Sequence, residues 1–514
     1  MRIARLVLTL VLIAGLATLI GVVPDGSKAS AQGAKKVIKF GVNRGAENLD
    51  PVTQDANPDI WAFMQIYQQL VRVNVKGDGF EPDLAEKWST SPDGRTWTFN
   101  LRKNAKFSNG DPVKASDAVW SLKRARDTKG PWKWALEAVE DIQAKDDHTV
   151  VISLKEPWAP FLADISLFSN SILPEKVFKG AKDEDISNKP VGSGPFMLAE
   201  WKKGEELVMK ANPHYYEKGI PRTPELRIRY IPDDNSRIIA LQSGDVDGID
   251  YPPFSRIEEL RKDPKLEAQL NPSTQVSHLS LNMREAPLNN VKFRQALAHA
   301  TDRAAIVKAV CFGHCTPGTT FLPMTTPFFN KGSKGNAYDL NKAKQLLKES
   351  GIATPVTLKL LYRANDAVHQ PTAVALKEMW GKLGVTLELE PLDRATATQR
   401  YRANQFQVYV TSWTNDIPDP SQLAAYALGF TESQSYHSGY QSQEMDGLLA
   451  KGMREMNPEK RRQIYYEIQE LALRDSPLIW LYYSPYTIAI SKKMKGFAQM
   501  ATGPWIFKNV TVGE

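Results

Sequence analysis

The stretch from residue 206 to 250 decides the fold class, because strand-like and helical segments alternate within it. Glu206-Leu207-Val208-Met209 and Leu226-Arg227-Ile228-Arg229-Tyr230-Ile231 indicate strands, and a helical pattern runs from Asn235 to Ser243 and ends at Gly244. Strand, crossover helix and strand in succession indicate a mostly parallel sheet with helices on its faces. The sequence therefore predicts an α/β fold.

A second alternating stretch covers residues 290–490. Its predicted elements are helices at 292–311, 340–350, 370–383 and 458–475 and strands at 357–362, 385–390 and 407–412. Before these regions, Val37–Val42 indicates a first strand and Ile60–Val71 a helix. Residues 75–189 differ, because the turn Ser91-Pro92-Asp93-Gly94 indicates a hairpin and Ala115–Ala125 a helix. We predict two α/β lobes and an inserted α+β domain.

Length and composition exclude several classes of protein. At roughly 150 residues per domain, 514 residues predict about three domains. Hydrophobic residues at 42% and charged residues at 24% are typical of globular chains and argue against collagenous, disordered or polytopic membrane proteins. A formal charge of +7 spread over this length is not the footprint of a nucleic-acid-binding protein.

The N-terminus has the features of a cleaved signal peptide. Arg2 and Arg5 precede an apolar run from Leu6 to Val23, and Ala29-Ser30-Ala31 suits a signal peptidase. We expect cleavage after Ala31 and favour secretion over anchoring by the apolar run. No cysteine follows the run, so the lipid attachment found on many exported bacterial proteins has no acceptor.

The two cysteines lie close together, in Cys311-Phe312-Gly313-His314-Cys315. In an oxidising compartment a disulfide that closes this small loop is the simplest expectation. A metal site at Cys311, His314 and Cys315 lacks a fourth ligand, and a redox-active pair is disfavoured because three residues separate the cysteines.

The sequence does not contain the residue spacings that mark common classes of enzyme. The sequence has no nucleophile elbow, no Walker phosphate loop and no dinucleotide fingerprint. Val191-Gly192-Ser193-Gly194-Pro195-Phe196 is the nearest glycine-rich turn, but Pro195 removes an amide that would help to cradle phosphate, so we interpret it as a domain-crossing turn. Asp245 and Asp247 could form an acid–base pair, although their segment also fits a helix stop that leads into a strand.

Candidate binding residues follow two predicted strands. Gln407–Ser412 leads into Trp413-Thr414-Asn415-Asp416, and Thr357–Leu361 leads into Tyr362-Arg363. Ligands collect at the carboxyl ends of strands in α/β lobes, and an aromatic ring with an acid can bind an ammonium group. Arg363 and Asp416 facing one cleft could hold both ends of a zwitterion. Alternatively, Arg363 is solvated and Asp416 forms a turn near Pro418.

Ordered motifs along the mature chain carry a family resemblance. They are Pro82–Trp88, Ser91–Arg102, Phe107–Pro112, Val191–Phe196, Leu241–Asp247 and Phe293–Asp302. With them the chain resembles the periplasmic solute-binding proteins of ABC importers that bind dipeptides, oligopeptides and nickel (extracellular solute-binding protein family 5), and it is most like the dipeptide-binding members.

The resemblance implies a two-lobed α/β periplasmic binding protein of type II, cluster C, with a two-strand hinge and an α+β domain inserted in the first lobe. The expected boundaries are a signal peptide at 1–31, lobe I at 32–74, 190–278 and 490–514, the inserted domain at 75–189, and lobe II at 279–489. We expect a periplasmic monomer that works with an ABC permease and ATPase.

The resemblance also implies roles for the candidate residues. In dipeptide binders an aspartate at the position of Asp416 pairs with the ligand ammonium, and an arginine at the position of Arg363 pairs with its carboxylate. Trp413, Thr414, Asn415 and Tyr362 complete the expected site, although the aromatic that usually follows the aspartate is absent. An opine, glutathione, an oligosaccharide or a nickel chelate is an alternative ligand. No cofactor or resident metal is expected. Two other functions compete with transport: a secreted peptide hydrolase, and a chaperone-like or signalling peptide binder.

Overall fold

The computed structural model describes residues 37–430 and 435–513. The predicted signal peptide, residues 1–31, lies outside this part of the chain. The strands are β1 (Val37–Val42), β2 (Val71–Val73), β3 (Phe80–Pro82), β4 (Ala85–Thr90), β5 (Thr96–Leu101), β6 (Val139–Asp146), β7 (Thr149–Leu154), β8 (Phe196–Lys202), β9 (Glu206–Ala211), β10 (Glu225–Tyr230), β11 (Gly248–Asp250), β12 (Leu266–Asn271), β13 (Gln275–Leu281), β14 (Thr316–Pro317), β15 (Val356–Arg363), β16 (Val385–Leu392), β17 (Val408–Thr414), β18 (Leu478–Tyr483), β19 (Tyr486–Ser491), β20 (Met494–Lys495), β21 (Ala498–Gln499), β22 (Trp505–Ile506) and β23 (Thr511–Val512).

The α-helices lie between these strands and pack on the faces of the sheets. They are α1 (Asn57–Phe63), α2 (Ala115–Asp127), α3 (Phe161–Ile165), α4 (Glu175–Phe178), α5 (Asp183–Asn188), α6 (Asp234–Ser243), α7 (Ile257–Lys262), α8 (Val291–Ala300), α9 (Arg303–Val310), α10 (Leu340–Ser350), α11 (His369–Gly381), α12 (Arg394–Arg402), α13 (Ser421–Leu428), α14 (Gln443–Arg454) and α15 (Pro458–Asp475).

Two large sheets define two lobes. The sheet of lobe I has the order β12-β19-β11-β1-β10-β9-β8, and the sheet of lobe II has the order β14-β18-β13-β17-β15-β16. Only β1 with its neighbours β10 and β11, and β15 with its neighbours β16 and β17, pair in parallel. The α/β architecture is confirmed, but the prediction of mostly parallel sheets is wrong. Hairpins and the strands that enter from the other lobe add antiparallel pairs, which an alternating pattern of strands and helices does not reveal.

The inserted domain contains a four-stranded antiparallel sheet in the order β4-β5-β7-β6. The hairpin predicted around Ser91–Gly94 joins β4 to β5, and the Gly94 amide donates to the Ser91 carbonyl oxygen at its tip. Helix α2 covers this sheet with its buried face, which includes Ala118 and Leu122. The domain thus has a core of its own.

The chain crosses between the lobes twice, at residues 272–274 and 484–485. At the first crossing β12 of lobe I leads into β13 of lobe II, and at the second β18 of lobe II leads into β19 of lobe I. The Ser273 hydroxyl donates to the Ser484 carbonyl oxygen, so the crossings lie side by side. The predicted boundaries at 278 and 489 fall inside β13 and β19.

Two helix predictions differ from the structure. The helix predicted at 292–311 is two helices, α8 and α9, because the Asp302 carboxylate accepts from the Ala305 amide and caps a new helix there. The helix predicted from Ile60 to Val71 ends early, since α1 stops at Phe63 and the chain enters β2 at Val71. The expected disulfide joins Cys311 to Cys315 directly after α9.

The glycine turn at 191–196 is explained by close backbone packing. The Gly194 amide donates to the Ile66 carbonyl oxygen over 2.7 Å. A Cβ atom at Gly192 would lie 2.1 Å from the same oxygen, closer than van der Waals contact allows. This position therefore requires glycine for space, which explains the motif without a phosphate ligand.

Gly192→Ala is accordingly expected to destabilise the protein by about 1–3 kcal/mol, because the backbone around Ile66 must shift. Gly447→Ala is a matched control, since Gly447 lies exposed in α14 with open space around its Cα atom. This control is expected to stabilise by about 0.5–1 kcal/mol. Urea unfolding of both variants measures the difference, and equal effects would refute the packing explanation.

Candidate functional site

A turn after β17 reaches from lobe II into lobe I. The Asn415 side-chain amide donates to the carbonyl oxygens of Ile417 and Asp419, both over 2.8 Å, and holds residues 415–419 in a compact turn. Ile417 is fully buried and packs in the apolar core of lobe I. The turn therefore anchors one lobe to the other.

A buried ion pair between Asp419, at the end of this turn, and Arg461 holds the turn in place. Arg461 on α15 binds both carboxylate oxygens of Asp419, over 2.5 and 2.8 Å, and its Nε donates to the Gly452 carbonyl oxygen. Asp164 of the inserted domain lies near this pair, and its Oδ2 accepts from the Trp158 indole. Burial raises the pKa of Asp164 well above its usual value, and the charge of Asp419 adds to this effect.

Asp416 lies on the turn with few partners. Its Oδ2 accepts from the Gln422 side-chain Nε2 over 2.7 Å, and its own backbone amide donates to Oε1 of the same Gln422 side chain. Among the described residues no arginine, lysine or histidine forms an ion pair with it. Burial raises the pKa of Asp416 to about 7, although the Gln422 hydrogen bond acts in the opposite direction. The carboxylate thus lacks a compensating positive charge from this part of the chain.

Asp416 borders a small cavity of about 20 Å³ between the lobes. The other lining residues come from lobe I and the inserted domain: Ile60, Trp61, Met64, Gln69, Arg72, Val73, Ser166, Phe168, Met500, Thr502 and Pro504. Many of these side chains are apolar, so a charged group at Asp416 meets a poorly hydrated environment. Opposite charges interact more strongly in such an environment than in water.

Arg363 ends β15, next to β17 in the same sheet. The strands run in parallel, with Leu361 opposite Tyr409, so both carboxyl ends point to the same edge of lobe II. The Arg363 Nε is buried and has no hydrogen-bond partner among residues 37–430 and 435–513. Arg363 does not line the cavity beside Asp416. Its pairing with the other end of a ligand stays a prediction.

The remaining predicted site residues have mixed positions. Trp413 packs against the rings of Tyr426 and Tyr436, with centroid distances of 5.1 and 5.3 Å. Asn415 is fully buried and holds the turn, and Tyr362 is 6% exposed in the core of lobe II. Thr414 is also buried, as the last residue of β17. Only Asp416 of the predicted set lines the cavity.

Sequence reasoning missed one residue that binds Asp416 and one that lines the cavity. Gln422, which binds Asp416, follows it by six residues at the start of α13, and no motif marks it. Trp61 lines the cavity wall and packs edge-on against Trp505 at 5.0 Å. Gly503 allows this packing, because a Cβ atom there would lie 2.6 Å from the Trp61 ring, a constraint that only the folded structure reveals.

The described residues hold neither a candidate metal site nor a helix that could span a membrane. They contain no group of three histidine, cysteine, aspartate or glutamate side chains that could hold a metal ion. None of their helices combines the length and the apolar character needed to cross a membrane.

Two sheet-based lobes, joined by paired crossings and enclosing a cavity with a charged side chain, define a two-lobed ligand-binding protein. Comparison with known proteins identifies the family of binding proteins to which the chain belongs. The family model for bacterial extracellular solute-binding proteins, family 5 (middle region), matches residues 79–435, and the chain belongs to this family.

Relatives agree over nearly the whole chain. The probable D,D-dipeptide-binding periplasmic protein of Escherichia coli K12 is 30% identical over 91% of this chain and 92% of its own. Heme-binding protein A of Haemophilus influenzae is 30% identical over 87% of each chain. The Helicobacter pylori periplasmic binding protein DppA, solved with the peptide STSA, is 26% identical with a TM-score of 0.83, over 93% of this chain and 99% of its own. The family resemblance and the two-lobed fold are confirmed.

Proposed function

We propose that this protein captures a short peptide between its lobes and delivers it to an ABC permease. The observation that carries the proposal is Asp416, a carboxylate at the interlobe cavity that forms no ion pair with the described residues. Arg72 lines the same cavity but pairs with Glu81 over 3.4 Å. A peptide's α-ammonium group would supply that charge and three hydrogen-bond donors. The similarity to dipeptide-binding relatives supports this choice of ligand.

We assign the ligand's α-carboxylate to Arg363. Its guanidinium lies at the strand edge next to β17, with the buried Nε available as a donor. Two extended residues span about 7 Å, so a dipeptide would need its two charged ends held only slightly farther apart than that. A longer peptide would leave one of the two partners vacant. We therefore favour a dipeptide over longer chains.

Contacts across the lobes support capture by closure. Arg402 of lobe II pairs with Asp55 of lobe I over 2.7 Å, and Arg454 pairs with Glu156 of the inserted domain over 2.6 Å. The Ala159 amide also donates to the Met453 carbonyl oxygen. Surface ion pairs of this kind contribute little each and can break as the hinge opens. A closed form that docks on the permease is consistent with these contacts.

The proposal also covers the cellular location, the oligomeric state and the absence of catalysis. We propose that the mature chain begins after Ala31, acts in the periplasm as a monomer, and binds its ligand without chemical conversion. The relatives are solute-binding transport proteins, which supports this role. The heme-binding relative shows that the same fold serves other ligands, so another ligand class is the second candidate.

Ala-Ala is expected to bind protein that has been refolded from denaturant, and its N-acetylated form should bind at least about 30-fold more weakly because the cation for Asp416 is removed. The C-terminal amide tests Arg363 in the same way. Isothermal titration calorimetry measures all three affinities, and chromatography of the recovered peptide checks that it is intact. Equal affinities for Ala-Ala and N-acetyl-Ala-Ala would refute the Asp416 assignment, and cleavage of the peptide would refute non-catalytic capture.

A further inference from the structure

Three arginines lie at or just past the carboxyl ends of strands that have parallel neighbours. Arg363 is the last residue of β15, and Arg394 follows β16 by two residues. Arg363 pairs in register with Leu392, so Arg394 starts helix α12 directly beside it. Arg44 follows β1 of lobe I, also by two residues. We name Arg44, Arg363 and Arg394 the arginine cluster.

Arg44 approaches the other two from the opposite lobe. Partial burial and the charge of Arg363 lower the pKa of Arg394, and the charge of Arg44 lowers it further. Helix α12, which begins at Arg394, contacts lobe I directly, because Arg402 pairs with Asp55 over 2.7 Å. The cluster is therefore formed by both lobes together, as the ligand-enclosing surface of a two-lobed binding protein must be.

Few negative charges balance the cluster. Arg44 opposes the rise in pKa that burial causes in Asp59, so this carboxylate lies near it. Asp366 lies within ion-pair distance of the cluster, at 3.9 Å from the Arg394 Nη2. Its Oδ1 already accepts from the backbone amides of Val368 and His369. No described carboxylate lies within ion-pair distance of Arg44 or Arg363, and burial lowers the pKa of His369 to about 4, so this histidine is neutral at pH 7. Three positive charges thus lie near two carboxylates, and one of these, Asp366, already accepts from two backbone amides.

One peptide carboxylate can form paired hydrogen bonds with only one of these guanidinium groups. A C-terminal aspartate or glutamate carries a second carboxylate, separated from the first by only one or two methylene groups beyond the shared Cα atom. Adjacent strands lie about 4.8 Å apart, so the backbones at the ends of β15 and β16 are close enough for their arginines to bind two such carboxylates. Arginine also binds carboxylates through two parallel hydrogen bonds.

We propose that the arginine cluster is a second anionic subsite and that the preferred ligands are short peptides with an acidic C-terminal residue. Arg363 binds the α-carboxylate, and Arg394 with Arg44 binds the side-chain carboxylate. This inference rests on the proposed function, because it takes Asp416 as the partner of the ammonium end. The favoured ligand carries one positive and two negative charges.

The test compares Ala-Glu with Ala-Gln, which match in size and differ by one charge. Calorimetry at pH 7 and low salt is expected to give at least about tenfold tighter binding for Ala-Glu. Arg394→Gln should reduce this ratio to about threefold or less, and Arg44→Gln should also reduce it. The Arg394 side chain is 59% exposed, so its replacement is compatible with folding.

Arg400→Gln is the matched control, since it removes the same charge from the same helix. Arg400 pairs with Glu390 over 3.4 Å, away from the cluster, and its replacement should leave the ratio unchanged. Equal binding of Ala-Glu and Ala-Gln by the unaltered protein would overturn the acidic preference while leaving peptide capture intact. A preference that survives both Arg394→Gln and Arg44→Gln would overturn the role of the cluster. Failure of both peptides and of Ala-Ala to bind would overturn the proposed function itself.

Discussion

Asp416→Asn is expected to weaken Ala-Ala binding by about 30-fold or more, the largest effect on affinity of any single change at this site. Asparagine has the same shape and can still accept from the Gln422 amide, so the turn should keep its geometry. The variant loses only the charge that opposes the ligand's ammonium group. Calorimetry measures the affinity, and Asp446→Asn, an exposed change in α14 of the same lobe, is the control that should alter it less than about twofold.

The pH dependence gives the same prediction a second readout. The pKa of Asp416 is raised to about 7, and a bound ammonium group favours the ionised carboxylate, so binding requires loss of this proton. The affinity of the unaltered protein should therefore fall by up to about tenfold per unit as the pH drops below 7. In Asp416→Asn this dependence should vanish between pH 5.5 and 7.5. A variant that retains both affinity and pH dependence would exclude Asp416 as the ammonium partner.

The stability of Asp416→Asn should move in the opposite direction. A carboxyl group whose pKa is raised in the folded state favours folding when protonated, and this contribution is lost as the pH rises through 7. At pH 8 the neutral asparagine is therefore expected to raise the free energy of unfolding by about 1–3 kcal/mol. Loss of affinity together with a gain of stability distinguishes a binding residue from a structural one.

Arg461→Met is expected to cost about 3–5 kcal/mol of stability, the largest effect on folding predicted here. The Arg461 and Asp419 side chains are only 8% and 10% exposed, so removal of the arginine leaves a buried carboxylate without its partner. Asp164 lies close enough for the charge of Asp419 to raise its pKa. Two acidic groups would then share a site without a cation. Thermal and urea unfolding at pH 7 measure the loss.

The next residue along the chain provides the control. Arg462 is 39% exposed and pairs with Glu459 on the same helix, so Arg462→Met should cost less than about 1 kcal/mol. The double variant Arg461→Met with Asp419→Leu should recover part of the loss, because it removes the unpaired charge. Similar effects of Arg461→Met and Arg462→Met would show that the buried pair does not stabilise the fold.

The sequence predicted much of the architecture because hydrophobic periodicity is local. Strand β1 and helices α10 and α15 lie where the pattern placed them. Strand pairing was harder to predict, since a buried parallel strand and a buried antiparallel strand have the same composition. The break at Asp302 was also missed, because apolar residues continue on both sides of a cap that acts through one hydrogen bond.

The candidate site was likewise predictable in some parts and not in others. The strand ends at Arg363 and Asp416 were predictable, because the carboxyl edge of a sheet follows from strand direction. The surroundings of Asp416 were not, since Gln422 binds it and Trp61 and Pro504 line the same cavity from two other segments of the chain. Asn415 carries the polarity expected of a binding residue, yet its amide holds the turn. Residue type indicates chemistry, but only the folded geometry shows which group a side chain serves.

The burial of Ile417 in lobe I bears on the residence time of the ligand. Asp416 and Ile417 are neighbours on one turn, so Asp416 cannot retreat from a bound ammonium group without withdrawing Ile417 from its apolar surroundings. Exposing such a side chain costs about 1.5–3 kcal/mol. That contribution is the same whichever peptide is held. It slows the dissociation of every ligand alike and leaves selectivity to the groups that contact the peptide itself.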